Sequence, residues 1–299
     1  MQNSTEVLLG LPDTIWTDFI FPHFSQQELI RVALLSKKIY SLVRTPNLWK
    51  ELVIYESPNQ HSANARSVLY FESLIGNFTK LDTVKICLNK RWRYTGCELP
   101  DGYDDMKMAL RAITMRGDEE RRKLRNIEIN FNHHGEVFPR ADCAALFRIF
   151  QELSGQFPIF IRRAKLREIC THQSYMRWWH WTKEYIEQAP DFWSQLEKLE
   201  IDDTNLNYSR TYKIDEPSFG TILRCCPELE ELIITSWTSC NQRQLQYMMK
   251  EVEGSKLQVF TYKTGWITKE PKDVKSETYH TNWHYDAEED KLTFCAVKK

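Results

Sequence analysis

Residues 219–234 read FGTILRCCPELEELII, and two periodicities stand back to back in them. Phe219, Ile222, Leu223 and Cys226 recur at steps of three and four, which places apolar side chains on one face of a helix. Pro227 closes that run because proline cannot continue a helical hydrogen-bond ladder. Leu229, Leu232 and Ile234 then occupy the first, fourth and sixth places of a new pattern, and the last two are one strand period apart. A helix followed within three residues by a strand with one apolar face is half of an alternating α/β unit.

The six-position pattern recurs on both sides. It appears as Trp49-Leu52-Ile54, Leu81-Val84-Ile86, Leu124-Ile127-Ile129, Leu166-Ile169 with Thr171, Leu196-Leu199-Ile201, and Leu257-Phe260 with Tyr262. Successive starts lie 32, 43, 42, 30, 33 and 28 residues apart. Repetition in this range predicts a solenoid, in which each unit buries its apolar face only by stacking on the next. Helix-period segments fill the intervals: Leu69 to Phe78, Met108 to Met115, Ala145 to Leu153, and Leu245, Met248, Met249 and Val252. Strand and helix in strict alternation predict a parallel sheet with helices on one side.

The pattern resembles the leucine-rich repeat, whose ninth position often carries an asparagine that satisfies backbone groups at the turn. Asn89 and Asn132 stand there, followed by Ser174, Thr204, Trp237 and Gly265, so the ladder erodes toward the C-terminus. The unit lengths exceed the usual 20–29 residues, which makes the member an irregular one.

The first fifty residues read differently. Leu11-Pro12-Asp13 opens a helix, with Ile15, Trp16, Phe19 and Ile20 following at helical spacing. Ser25 and Glu28 form a capping box around which Phe24 and Leu29 supply the hydrophobic staple. Leu29, Val32, Leu35, Ile39 and Val43 make an apolar stripe that runs to Thr45-Pro46, and Trp49 and Leu52 close the segment. Short helices in so few residues cannot bury much apolar surface alone, so the module needs a partner or the rest of the chain to cover it.

Across residues 9–54 the order Leu11-Pro12, Ile15, Ile20, Phe24-Ser25, Glu28-Leu29, Val32, Leu35-Ser36-Lys37, Tyr40, Pro46, Leu48-Trp49 and Leu52 resembles the F-box motif. Pro22 departs from that pattern by shortening the first helix, and Leu35 stands where the family often has valine. The resemblance implies a three-helix module inserted into a groove of a Skp-type adaptor, which links the chain to a cullin and a ubiquitin-loading module. It nominates Leu11, Pro12, Ile15, Phe24, Leu29, Val32, Leu35 and Trp49 as the adaptor contacts. The remainder of the chain would then hold a protein substrate.

The expected architecture is therefore α/β: an F-box over residues 1–54, an irregular leucine-rich-repeat solenoid over 55–266 with helices on its convex side, and a C-terminal loop and β-hairpin cap over 267–299. The cap follows from alternation at Tyr279, Thr281, Trp283 and Tyr285, a turn at Ala287–Asp290, and renewed alternation at Leu292, Phe294 and Ala296. The polar segment Thr268–Glu277 before it reads as a loop.

Composition bounds the function. Forty cationic residues against 41 anionic ones give a net charge of −1, without the basic excess of a general nucleic-acid binder. No stretch reaches the roughly 18 apolar residues of a membrane span, and no secretory leader is visible, so a soluble chain of the cytoplasm or nucleus is expected. None of the eight cysteines forms a Cys-x-x-Cys pair. His280 and His284 alternate as on a strand and lack a third ligand, so neither a metal nor a cofactor is expected.

No nucleophile elbow or phosphate-cradling glycine loop is present, and His133-His134 has no nucleophile beside it, so no catalytic residue is expected. At Cys225-Cys226 the negative end of a helix would raise a thiol pKa, which disfavours covalent transfer.

Substrate contacts are sought at the third, fifth and seventh places of each strand, opposite the buried fourth and sixth. These give Glu128, Glu168, Glu200, Asp202 and Glu231 against Lys85 and Lys198, a mildly acidic face suited to a basic partner. Trp266, past a strand in a glycine-containing turn, is a further exposed contact, whereas Trp237 at the ladder position should face inward. Trp178, Trp179 and Trp181, with Tyr175, His180 and Tyr185, crowd one helical stretch; Arg177 and Lys183 are balanced there by Glu184 and Glu187, which favours a core helix over a base-stacking groove. The expected function is that of a substrate-recognition subunit of an SCF-type (Skp–cullin–F-box) ubiquitin ligase. The alternative is an interaction scaffold that uses the same face without directing degradation.

Overall fold

The computed structural model describes residues 10–24, 26–55, 80–89, 125–133, 161–170, 190–203, 216–236, 242–264, 274, 276–286 and 291–299. Expectations on Ser25, on the helical segments at 69–78, 108–115 and 145–153, and on Leu124, His134, Thr171, Ser174, the aromatic cluster at 175–185, Thr204, Trp237, Gly265, Trp266 and the loop at 268–273 lie outside the described residues.

The chain opens with a helical turn, α1 (Asp13–Ile15), that widens at Trp16–Ile20 and tightens at Phe21–His23. The cause is Pro22. It has no N–H to give, so the last wide-turn bond runs from Phe21 N–H to the Trp16 carbonyl and the chain then winds into a three-residue turn. Trp16, Phe21 and Phe24 pack ring against ring, with centroids 5.4 and 6.1 Å apart.

The stripe from Leu29 to Val43 is not one helix. It divides into α2 (Gln26–Ala33) and α3 (Lys37–Val43), which pack on each other. Ser36 makes the division: its backbone is extended (φ −159°, ψ 158°) and its Oγ accepts the Ile39 N–H at 3.1 Å as an N-cap. Leu34 and Leu35 fall in the intervening turn.

Among the described residues nine strands form one sheet: β1 (Glu51–Tyr55), β2 (Thr83–Asn89), β3 (Asn126–His133), β4 (Arg163–Cys170), β5 (Lys198–Asp203), β6 (Glu231–Ser236), β7 (Val259–Thr264), β8 (Tyr279–Asp286) and β9 (Lys291–Lys298). Their spatial order is 1-2-3-4-5-6-7-9-8. The first seven are parallel and sequential neighbours; β9 pairs antiparallel with β7, and β8 with β9, so the expected hairpin closes this end. Three helices are described between strands: α4 (Pro190–Trp193), α5 (Glu216–Cys225) and α6 (Gln242–Glu253), the last two in contact with each other. Gly220 lets them approach, since a Cβ there would meet the Glu251 carboxylate at 3.1 Å.

The parallel strands repeat one backbone device. The Lys50 carbonyl accepts two N–H groups, from Asp82 and Thr83, and the carbonyls of Asp82, Arg125, Arg162, Glu197 and Glu230 do the same for the next strand. One residue earlier in each unit stands the buried first position: Trp49, Leu81, Ile161, Leu196, Leu229 and Leu257. The fourth positions, Leu52, Val84, Ile127, Ala164, Leu199, Leu232 and Phe260, lie side by side across the sheet and are all buried. A row of this kind stabilises by removing apolar area from water, about 25 cal/mol per Å².

The fourth unit departs from the sequence expectation by five residues. Its first position is Ile161, not Leu166, because Ala164 pairs with Ile127 and Leu199 while Leu166 pairs with Ile129 and Ile201. Ile161 and Ala164 are each 2% exposed. A small residue fills the fourth slot here, and Leu166-Ile169 imitates the pattern five residues later.

Aromatic contacts bind the hairpin to the core. Phe219 of α5 meets Phe260 of β7 edge-on at 5.6 Å, Phe260 meets Phe294 of β9 at 6.3 Å, and Phe294 meets Trp283 of β8 at 5.1 Å. Tyr279 is buried, with its hydroxyl donating to the Leu257 carbonyl at 2.6 Å. Ser276 adds a polar knot: its Oγ bonds the Glu253 carboxylate at the end of α6 and accepts the Thr278 and Tyr279 N–H groups.

Candidate functional site: two interaction surfaces

The helical module divides its apolar residues between two duties. Phe21, Leu29, Ala33, Ile39, Val43 and Trp49 are buried in the chain's own core, and Trp16, Ile20, Phe24 and Val32 pack against it. Phe19, Leu34 and Leu35 are exposed by 65%, 75% and 76%. Pro12 is also exposed, while Leu11 and Ile15 are half-buried.

Lys38 ties the opening of the module to its third helix. Its Nζ donates to the Leu11 carbonyl at 3.1 Å and lies 3.3 Å from Asp13, so the Leu11-Pro12 opening is held against the start of α3, directly after the Leu34-Leu35 turn. Of the eight nominated adaptor contacts, Pro12 and Leu35 are exposed, and Leu11, Ile15, Phe24 and Val32 are half-buried. Leu29 and Trp49 are enclosed within the chain. The Trp49 indole N–H is occupied by the Val43 carbonyl at 2.7 Å. Phe19 and Leu34 were not nominated. Leu34 stands off the apolar stripe of Leu29 to Val43, which is the signal the sequence offered for it; Phe19 shares the helical spacing of Ile15, Trp16 and Ile20, and its exposure is not legible from spacing.

The second surface is the polar face of the sheet, at the third, fifth and seventh places of each strand. The corrected register puts Arg163, Lys165 and Arg167 at those places on β4, and Glu168 on the alternate shared with Ala164. Glu128, Glu200, Asp202 and Glu231 keep their expected places.

This face is not acidic. Glu51 and Glu128 flank Lys85 at 2.9 and 3.6 Å, Glu200 holds Lys165 at 2.6 Å, and Glu231 holds Lys198 at 2.8 Å. The hydrogen bond that Lys85 donates to the Glu51 carboxylate holds its ammonium above the ordinary pKa, partly against the cost of burial. These four carboxylates are thus answered one strand away by lysines, a cross-strand lacing that fixes register more than it stabilises. The expectation of an acidic surface that draws a basic partner is corrected by these pairs.

His280 and His284 are exposed on β8, on the same alternate, opposite Val297 and Thr293 of β9. Four residues of extended strand separate them by about 13 Å, too far to share one ion. Among the described residues no three His, Cys, Asp or Glu side chains gather as a metal site, and no helix is long and apolar enough to cross a membrane.

Cys226 is buried at the end of α5, and burial pushes its thiol far above its ordinary pKa, with the neighbouring Cys225 adding to the rise. The sequence expectation assigned this shift to the helix terminus; desolvation is the larger cause. Asn89 and Asn132, the two ladder asparagines, pair in register at the ends of β2 and β3. No family model matches the chain, and no curated protein matches it.

Proposed function

We propose that the chain is the substrate-recognition subunit of an SCF-type ubiquitin-protein ligase. In this reading residues 1–54 are an F-box that binds a Skp-type adaptor and, through it, a cullin. Residues 55–266 form an irregular leucine-rich-repeat solenoid that holds a protein substrate. The hairpin caps the last repeat, as a solenoid end requires. The chain contributes position, not chemistry: it raises the effective concentration of the substrate beside the ubiquitin carrier.

One observation carries the reading. A small helical module commits most of its apolar residues to the chain's core, yet leaves Pro12, Phe19, Leu34 and Leu35 uncovered, and Lys38 holds the Leu11-Pro12 opening to the start of α3, beside Leu34 and Leu35 in the chain. Large apolar groups left exposed on an otherwise charged chain support a protein contact. The repeated first, fourth and sixth positions, with their recurring two-bond carbonyls, support the repeat assignment of the sheet.

The test in cells is cullin co-purification with the full chain, beside a Leu11→Ala/Pro12→Ala variant. Recovery of cullin with the wild type and its loss with the variant support the receptor. A folded wild type that recovers no cullin removes the reading and favours the scaffold.

A further inference from the structure

We infer that the outer edge of β8 pairs antiparallel with the same edge of a second copy of the chain, about a two-fold axis at Asn282. The inference goes beyond the receptor reading and does not rest on it.

The bonding pattern of the hairpin leaves this edge open. The Lys299 N–H donates to the Thr278 carbonyl at 3.0 Å, so, in the register that follows, the even-numbered residues of β8 turn their N–H and C=O groups toward β9. The odd-numbered residues turn theirs outward. The Tyr279 N–H accordingly leaves the sheet and meets the Ser276 Oγ at 3.1 Å. The next two outward residues, Thr281 and Trp283, have no backbone partner among the described residues, and Tyr285 beyond them already has a contact within the chain.

The open groups therefore lie evenly on either side of Asn282, and that evenness selects the occupant. An antiparallel copy centred there sets Thr281 against the copy's Trp283, and Trp283 against the copy's Thr281. Each pair exchanges two N–H···O=C bonds, and no open group of either residue is left over. A symmetric set of donors and acceptors is satisfied by its own sequence.

The side chains agree with this register. Asn282 meets Asn282 of the copy on the solvent face, and an amide carries both a donor and an acceptor, so it can answer itself. His280 and His284, two places to either side on the same face, meet each other across the axis. The eight residues of β8 include no lysine, arginine or proline and pair with β9 without a bulge, so these guards of an exposed edge are missing.

The strand is also fixed before it pairs. Tyr279 is buried, the Trp283 ring lies 5.1 Å from that of Phe294, and the Thr281 hydroxyl donates to the Val274 carbonyl at 2.6 Å. Little further ordering is needed to present the edge. One strand pair buries less than a standard interface, so the dimer is weak and concentration-dependent.

The experiment is sedimentation velocity of the purified full chain from about 1 to about 300 µM, over which the mass should rise from one chain to two. Asn282 is exposed, so Asn282→Lys and Asn282→Asp should each keep the fold. Each sets like charges across the axis at a Cα separation of about 4.5 Å and should weaken the dimer by about tenfold or more. An equimolar mixture of the two variants should restore it, because opposite charges then face each other.

A wild type that stays monomeric throughout leaves the edge to a foreign strand and overturns the inference. A dimer that survives both substitutions, or a mixture of the variants that stays monomeric, overturns it as well. Adaptor co-elution measured on the same preparations separates the two proposals. A chain that dimerises in this way and ignores the adaptor keeps this one and loses the receptor reading.

Discussion

The indole N–H of Trp49 donates to the Val43 carbonyl at 2.7 Å, in the buried seam where the helical module meets the sheet. Val43 is the last residue of α3, so its carbonyl has no acceptor role inside the helix and would be orphaned without the indole. Trp49 is also the first position of the first strand unit, and one residue thereby ends one module and starts the next. Trp49→Phe should cost about 1–3 kcal/mol by removing the donor and part of the buried ring, and Trp49→Ala about 3–5 kcal/mol. Urea unfolding measures both. A Phe variant as stable as the wild type that fails to bind the adaptor would mean that Trp49 acts at an interface after all.

Leu34 and Leu35 should behave in the opposite way. Both are exposed, so Leu34→Asp/Leu35→Asp should change stability by no more than about 0.5 kcal/mol per site while abolishing adaptor binding. Calorimetry of the double variant against the wild type checks the first half. A large fall in its midpoint would show that the pair supports the fold.

The register of β4 predicts contrasting outcomes at adjacent residues. Ala164 is buried between Ile127 and Leu199, so Ala164→Glu puts a carboxylate in the core and should destabilise by several kcal/mol. Arg163→Glu, one residue away on the solvent face, should stay within about 1 kcal/mol. Equal costs at the two positions would contradict the register.

Alkaline pH should weaken the fold in stages. Cys226 and Tyr279 are raised chiefly by burial, and Lys85 chiefly by its hydrogen bond to Glu51. Each group holds its proton more tightly folded than unfolded, so each contribution is constant below the ordinary pKa and lost as pH rises through it. Decline should begin near the ordinary thiol range, about 8.5, and steepen above about 10 where tyrosine and lysine titrate. Unfolding midpoints from pH 7 to 11 follow it, and Cys226→Ala should delay the onset. A flat profile to pH 11 would show that these groups ionise freely in the native state.

Much of this was legible in the sequence because a parallel sheet repeats one burial pattern and period-two alternation announces it. Six of the seven parallel strands fall where their first, fourth and sixth positions predict, as do the helices of Phe219 and Met248 and the hairpin of Phe294. The fourth strand was misplaced because Ala164 is too small to register as a core residue, while Leu166 and Ile169 nearby are not. That shift carried Glu168 onto the wrong alternate and hid Arg163.

The exposed apolar groups were half legible. Pro12 and Leu35 belong to the motif, but burial of Leu29 and Trp49 against the chain's own sheet is a tertiary fact that periodicity does not contain. The cross-strand ion pairs were hidden for the same reason, since a strand's charges can be counted but not paired without its neighbours.

The receptor account is tested most directly by co-expressing the full chain with the Skp-type adaptor and resolving the mixture by size exclusion. The wild type should co-elute with the adaptor in equal amounts, and the Leu34→Asp/Leu35→Asp chain should elute alone, folded. A folded wild type that elutes alone, or a double variant that still carries the adaptor, would contradict the account.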